Sequence, residues 1–395
     1  MEGDDPMLNF NYSIPTKIFF GNGQIKVLGK EIKKYGTKVL LVYGGESIKK
    51  NGVYDEVIDQ LKGEDIPFWE LNGVKPNPRI DSVREGIKIC RENKIDFLLP
   101  VGGGSIIDCA KTIGAGYYYD GDPWDLVIGK GKIEKVLPIG TVSTIAATGS
   151  EMDNYAVISN LETNQKLGLF HDNMFPKFSI LDPAYTFTVS QRQTAAGTAD
   201  IMSHIFEVYF SRTEGAYLQD RMAEAILKTC IKYGIVAVKE PKNYEARANL
   251  MWSSSLAING LLSYGKESMW SVHPIQHELS AYYDITHGIG LAILTPYWME
   301  YVLNDETVDK FAEYGINVWD IDKENDKYGI AHGAIEKTRE YFISLGLPST
   351  LREVGIGEEN LENMAKKATD YQGGTIGSFV PLNYEDTLEI YRRAL

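Results

Sequence analysis

The sequence predicts a two-part protein of class α/β plus all-α: a nucleotide-type α/β domain first, then an all-helical domain. Three observations carry that reading. Short apolar runs alternate with amphipathic stretches as far as Pro183, the pattern of βαβ units around a buried parallel sheet. A glycine turn, Val101-Gly102-Gly103-Gly104-Ser105, joins one of those runs to a helical stretch. Beyond Pro183 strand-like alternation nearly disappears, and Leu, Ile, Ala, Met and aromatic residues recur at helical spacing. At 395 residues the chain also exceeds what one hydrophobic core usually supports.

Taken in order, KVLLVY (38–43) is the first strand of the alternation, followed by glycines and the helical VYDEVIDQLK. PFWEL (67–71) is the next strand, and a helix follows KPNPR and runs through Ile89. IDFLLPV (95–101) is the third, ending in the glycine turn and the helical IIDCAKTIGAG. VLPIG (136–140) and FSILDP (178–183) read as further strands, and between them YAVISN and KLGLF alternate around a polar turn as a hairpin. The boundary falls near 185, giving domains 1–185 and 186–395, with Ser190 placed to cap the first helix of the second. That helix covers TAAGTADIMSHIFEVYF, and AYLQDRMAEAILKTCIKYGIVAV and ENLENMAKKATDY are further helices.

Composition narrows the function classes. Hydrophobic residues at 44% and charged residues at 24% are ordinary for a soluble globular protein. A formal net charge of −14 argues against a nucleic-acid surface or an anionic membrane as partner, while leaving a small-molecule substrate open. Cys90, Cys109 and Cys230 are too few and too scattered for a disulfide framework or a metal knuckle, so a reducing cytoplasm is the simplest setting. The acidic start MEGDDPM is unlike a signal peptide, and no apolar run approaches the roughly eighteen residues that span a bilayer. The expectation is a soluble cytoplasmic protein, with room for a homodimer.

The chemistry-bearing residues concentrate in the helical half. Asp200 and His204 are four apart on a predicted helix, which stacks a carboxylate and an imidazole on one face. Alone, that pair would read as a helix-face hydrogen bond. The segment WSVHPIQHELSAYYDITHGIG reverses the judgement by adding His273, His277 and His287, three of only six histidines in the chain. Burying so many ionisable groups together is costly without a metal or charge partner, and one carboxylate with imidazoles suits divalent iron or zinc. His277 shares a helix face with His273 and could be a further ligand, a supporting partner or a proton-transfer group. His171 and His332 have no such company and read as ordinary surface or packing residues. In the first half, the glycine turn opening a helix offers backbone N–H groups and a helix N-terminus to a pyrophosphate, although it is not the GxGxxG fingerprint. The loop PIGTVSTIAATGSEMDNYAV adds hydroxyl donors. The cleft between the two domains is the natural place for a ligand.

GGGSIIDCAK, ATGSE, the Asp200–His204 pair and HPIQHELSAYYDITHG together resemble the iron-containing (group III) alcohol dehydrogenases, and the resemblance covers nearly the whole chain. NFNYSIPTKIFFGNG, YGGESIKKNGVYDEV and GVKPNPRIDSVREGI are similar to the butanol dehydrogenase and aldehyde reductase branch. The resemblance implies a dehydroquinate-synthase-like fold, with a Rossmann-type N-terminal domain and a helical metal-binding C-terminal domain. It implies Asp200, His204, His273 and His287 as ligands of Fe²⁺, Zn²⁺ being the other candidate, with His277 as a non-ligand near the nicotinamide. It puts the pyrophosphate on Gly102, Gly103, Gly104 and Ser105 with Asp108 behind them, a second cofactor loop on Thr144 and Thr148, and Lys166 near the nicotinamide ribose. Ser143, Ile145 and Ala147 depart from the commoner family residues. Gly44 stands where NAD-preferring relatives often carry an aspartate, and Gly45, Ser47, Lys49 and Lys50 follow it, which favours NADP; Glu46, able to accept from a ribose hydroxyl, argues for NAD.

The activity expected from these residues is interconversion of primary alcohols, butanol being the type, and aldehydes by metal-assisted hydride transfer with NAD(P)H. His277 is the candidate for proton exchange. The alternatives are a sugar-phosphate lyase or synthase of the dehydroquinate synthase type, which the aspartate-led ligand set disfavours, and a glycerol or lactaldehyde reductase of the same family.

Overall fold

The computed structural model describes residues 7–395. Among the described residues there are eight strands: β1 (Lys17–Phe20), β2 (Val39–Tyr43), β3 (Phe68–Leu71), β4 (Phe97–Gly102), β5 (Gly140–Ser143), β6 (Tyr155–Asn160), β7 (Gln165–Phe170) and β8 (Phe178–Leu181). Six of them form one parallel sheet in the order β1-β8-β5-β4-β2-β3, and β6 and β7 form the expected antiparallel hairpin. Parallel strands sandwiched on both faces must be apolar on both. Accordingly Leu40, Val42 and Leu98 enter one buried cluster, while Val39, Leu41, Tyr43, Phe97, Leu99 and Val101 enter the other. Each such side chain contributes about 1.5–3 kcal/mol by leaving water.

Sheet order fixes where a ligand can lie. The chain leaves β2 for β3 on one side, then returns to β4 on the other, so the strand order reverses between β2 and β4. In open α/β sheets that reversal opens a crevice at the carboxyl ends of the strands. The turns at those ends are Gly44-Gly45 and Gly102–Ser105, both singled out from sequence.

One strand expectation needed correction, and one strand had not been expected. VLPIG is mostly not strand: the ladder begins at Gly140. Pro138 has no N–H to give, and only its carbonyl engages β4, accepting from Leu98 N at 2.9 Å. β1, within the segment NYSIPTKIFFGNG, is a strand that periodicity did not reveal; it pairs β8 at the sheet edge, Lys17 opposite Phe178 through Phe20 opposite Leu181.

The chain divides into two compact units. One comprises Ser13–Val189 with Pro241–Ser255; the other comprises residues 7–12, Ser190–Glu240 and Leu256–Leu395. A single cut near 185 therefore does not describe the chain path, because most of the helix Tyr244–Ile258 belongs with the sheet. It is tied there by Ser254 Oγ, which accepts from Ala147 N at 3.1 Å, and by Ser255 Oγ, which donates to Glu151 Oε1 at 2.5 Å.

In the second unit no strand is found among the described residues. Its central helix is Gln191–Tyr209, whose N-cap Ser190 accepts from Gln193 N at 3.2 Å. Every residue from Thr194 to Tyr209 is buried, which explains the run of small residues at its start. The helices Val272–Tyr283 and His287–Val302 complete the neighbourhood that matters for chemistry. Among the described residues no helix is long and apolar enough to cross a membrane.

Candidate metal centre and cofactor loops

Three helices bring the singled-out residues of the second unit together. Asp200 and His204 lie a turn apart on the central helix, His273 is in the first turn of Val272–Tyr283, and His287 opens the next helix. Gly288 is what lets His287 come so close. A Cβ there would lie 2.7 Å from the Ala196 carbonyl carbon, so only glycine allows this helix to rest on the backbone of the central one.

One candidate donor atom from each of Asp200, His204 and His273 lies within 4.8 Å of the others, and all three residues are buried. His287 Nε2 is 3.6 Å from Asp200 Oδ1, and His204 Nε2 is 3.8 Å from the same oxygen. The imidazoles of His204 and His273 stack at 4.8 Å, and the His287 ring is 5.2 Å from that of His273. Burial, with His273 as a second cause, holds His204 well below its ordinary pKa of 6.5, so it is a neutral imidazole, the ligating form. His273 Nε2 is buried with no hydrogen-bond partner, which marks it as aimed at a group other than protein. A hard carboxylate and imidazoles around one point fit a divalent transition ion.

Sequence reading missed the residues behind these. Glu207, buried at 5% exposure, accepts from Ser271 N at 2.7 Å, His273 N at 2.8 Å and His273 Nδ1 at 2.9 Å. Gln276, wholly buried, bonds His287 Nδ1. Trp270 packs its ring 4.5 Å from that of His273 and 5.6 Å from that of His204. Glu207 is three residues after His204 and Gln276 three after His273, so helical spacing was a usable signal for both. Trp270 lies outside any helix and had none. His277 is half-buried, its ring 5.5 Å from that of His287 and 6.4 Å from that of His273.

In the first unit, the helix Gly104–Gly116 starts directly after the glycine turn. A Cβ on Gly103 would lie 2.5 Å from Ile145 Cγ2, and one on Gly104 would strike the Thr148 side chain. The two loops proposed for one cofactor are thus packed on each other, and Thr144 N donates to Gly102 O at 3.0 Å. Ser105 lies in the first turn of the helix. Asp108 faces inward: its oxygens accept from Ser150 Oγ at 2.7 Å and Val157 N at 2.9 Å, and desolvation pushes its pKa up to about 6. Beside it, fully buried Lys111 donates to Asp153 Oδ1, Ser150 Oγ and Tyr155 O. Lys166 on β7 is buried and donates to Asn77 Oδ1 at 2.9 Å. At the other turn, Gly44 is confined, since a Cβ would meet Val74 O at 3.1 Å and Ile106 Cδ1 at 3.3 Å, whereas Gly45 faces open space. Ser47 begins the short helix Ser47–Lys50. Lys49 Nζ is 3.6 Å from Glu46 Oε1 and lies over the rings of Tyr43 and Tyr54, each at 5.3 Å.

The first unit thus holds a Rossmann-type sheet with a glycine turn at its switch point, and the second a buried Asp/His cluster on helices that could hold a metal ion. Residues 15–183 match the family described as iron-containing alcohol dehydrogenase, and residues 194–395 match its C-terminal part. The chain belongs to the iron-containing alcohol dehydrogenase family. It is 66% identical over 388 residues to NADH-dependent butanol dehydrogenase A of Clostridium acetobutylicum, covering 98% of this chain and 100% of that one. It is 40% identical to the NADPH-dependent aldehyde reductase YqhD of Escherichia coli, with 98% of each covered. The crystal structure of NADH-dependent butanol dehydrogenase A from Thermotoga maritima superposes with a TM-score of 0.94 at 40% identity, covering 98% of this chain and 99% of that one.

Proposed function

We propose that the protein interconverts primary alcohols and aldehydes, butanol and butanal being the type pair, by metal-assisted hydride transfer with a nicotinamide cofactor. The observation that carries the reading is the buried convergence of Asp200, His204 and His273, with His287 beside them. The names of the relatives given above support it. A divalent ion supplies a Lewis acid for the substrate oxygen, and the nicotinamide supplies or takes up the hydride. Asp200, His204, His273 and His287 hold the ion. Glu207 fixes the His273 ring, and the Trp270 indole shields the imidazoles of His204 and His273 from water on one side. The glycine turn offers backbone N–H groups to the pyrophosphate, and Asp108 acts from within the domain, bracing the helix behind that turn. His277, half-buried next to the His287 ring, exchanges the proton between substrate oxygen and solvent.

Chelation is expected to abolish turnover in both directions, with Fe²⁺ restoring it and Zn²⁺ restoring it less completely. Full turnover by protein that elemental analysis shows to be metal-free would sink the reading. His277→Ala should keep stoichiometric metal and lose turnover by about 10²–10⁴-fold, the usual worth of a general acid–base group. Metal loss equal to that of His273→Ala would make His277 a ligand instead.

For the cofactor we favour NADH. Lys49, the first cation in sequence after the turn that follows β2, is engaged by Glu46 and by two tyrosine rings, so a 2′-phosphate would compete with a carboxylate for it. Two relatives at 66% and 64% identity are named as NADH-dependent. Gly44 carries the second reading, NADP, because it leaves out the carboxylate that would repel a 2′-phosphate. Gly44→Asp is expected to weaken both cofactors somewhat through the tight Val74 and Ile106 contacts. NADPH should lose a further charge term of about 1 kcal/mol, or roughly fivefold in the ratio of the two dissociation constants. An unchanged ratio would assign ribose reading to Glu46.

A further inference from the structure

We propose that Gln276 and Ser280 are positioning residues that fix His287 as its Nδ1–H tautomer and so turn its Nε2 lone pair toward Asp200. Both are buried, at 0% and 4% exposure, and lie four apart on the helix Val272–Tyr283, hence on one face. Their hydrogen bonds form a chain. His287 Nδ1 meets Gln276 Oε1, Gln276 Nε2 donates to Ser280 Oγ at 2.8 Å, and Ser280 Oγ donates to Ile285 O at 3.1 Å.

The direction of that chain follows from its far end. A backbone carbonyl can only accept, so it takes the Ser280 hydroxyl proton. The Ser280 oxygen then accepts from the amide NH₂ of Gln276, which leaves the amide oxygen toward His287. An amide oxygen carries no proton, so the proton between it and the imidazole sits on Nδ1. In a neutral imidazole that leaves the lone pair on Nε2, the atom 3.6 Å from Asp200 Oδ1. The same logic operates on His273, whose Nδ1 faces the acceptor-only carboxylate of Glu207 at 2.9 Å. Two histidines from two different helices are thus set to the same tautomer by different acceptors. The His287 relay also ties down its own geometry, because Ile285 lies in the turn between the two helices, two residues before His287.

The inference rests on the metal reading only for what Nε2 faces; the tautomer belongs to the protein itself. Long-range ¹H–¹⁵N correlation spectra of full-length, metal-free protein labelled at histidine give the first test, with His287 assigned through its own substitution. A protonated Nδ1 and an unprotonated Nε2 are expected, and an Nε2–H tautomer for His287 would overturn the proposal whether or not the protein binds metal. Ser280→Ala removes the hydroxyl that sets the direction while leaving Gln276 in place, and should admit both tautomers; a single unchanged tautomer would overturn the role of Ser280. In a Co²⁺ titration followed by d–d absorption, Gln276→Leu should bind about 10–100-fold more weakly, the usual effect of removing an outer partner of a ligating histidine. Gln276→Glu, which can accept from both His287 and Ser280, should restore most of that affinity. Equal affinity in Gln276→Leu and the unmodified protein would overturn the positioning role, and failure of the unmodified protein to bind Co²⁺ would count against the metal reading while the tautomer result stands.

Discussion

Glu207→Ala is expected to destabilise the metal-free protein by about 3–5 kcal/mol and to weaken metal binding by about 10–100-fold. The carboxylate receives three donors, Ser271 N, His273 N and His273 Nδ1, all within 2.7–2.9 Å. Each buried donor left without a partner costs about 1–3 kcal/mol, and local relaxation recovers part of the sum. Two of the three are the backbone groups that start the helix carrying His273, so its first turn should loosen together with the imidazole. Urea unfolding of the metal-free variant measures the first effect and Co²⁺ titration the second. A variant within about 1 kcal/mol of the unmodified protein, binding Co²⁺ equally well, would show that water replaces the carboxylate and that Glu207 organises nothing.

Lys111→Met is the second large effect, in the sheet unit. Lys111 has no exposed surface and is the cation between Asp108 and Asp153. Removing one partner of a buried ion pair typically costs about 3–5 kcal/mol, because the remaining charge is left uncompensated. The pH dependence follows from Asp108. Desolvation raises its pKa from 3.8 to about 6 even though Lys111 pulls the other way. A carboxyl whose folded pKa is raised favours the folded state at low pH and loses that contribution as pH rises through the folded value. Without Lys111 the folded value climbs further, so the window of loss extends to higher pH. The deficit of Lys111→Met should therefore be larger at pH 8 than at pH 5, read as urea midpoints at the two values. The helix bearing Lys111 also starts at the glycine turn, so NADH affinity should fall as well. A deficit independent of pH would mean that the cost is packing around the lysine stem rather than charge.

Much of the fold could be read from local pattern. β2, β4 and β8 fall where their apolar runs stand, because a strand buried on both faces has to be apolar along its whole length, and β3 and the β6–β7 hairpin, partly exposed, also fall where the sequence placed them. The central helix and its Ser190 cap were equally visible. β1 was not, being four residues whose strand character comes from pairing with β8 rather than from alternation. β5 was displaced by the apolar run VLPIG, in which Pro138 denies the ladder a donor. The membership of 241–255 in the sheet unit rests on contacts to Ala147 and Glu151 about a hundred residues away, for which no periodicity exists.

The sequence by itself determined the inventory of the chemistry: one carboxylate and the imidazoles at helical and inter-helical spacing, and a glycine turn between strand and helix. Residue type and local period are properties of the chain, and they survive without knowledge of what packs on what. Only the tertiary structure decided how that inventory is held. It made Glu207, Gln276 and Trp270 part of the centre, turned Asp108 inward onto Ser150 and Val157, and set Lys49 against Glu46 and two tyrosines. Those assignments depend on which donor a buried acceptor meets across distant segments. A buried polar group takes whichever partner the packing brings within about 3 Å, and that distance is fixed by the whole fold.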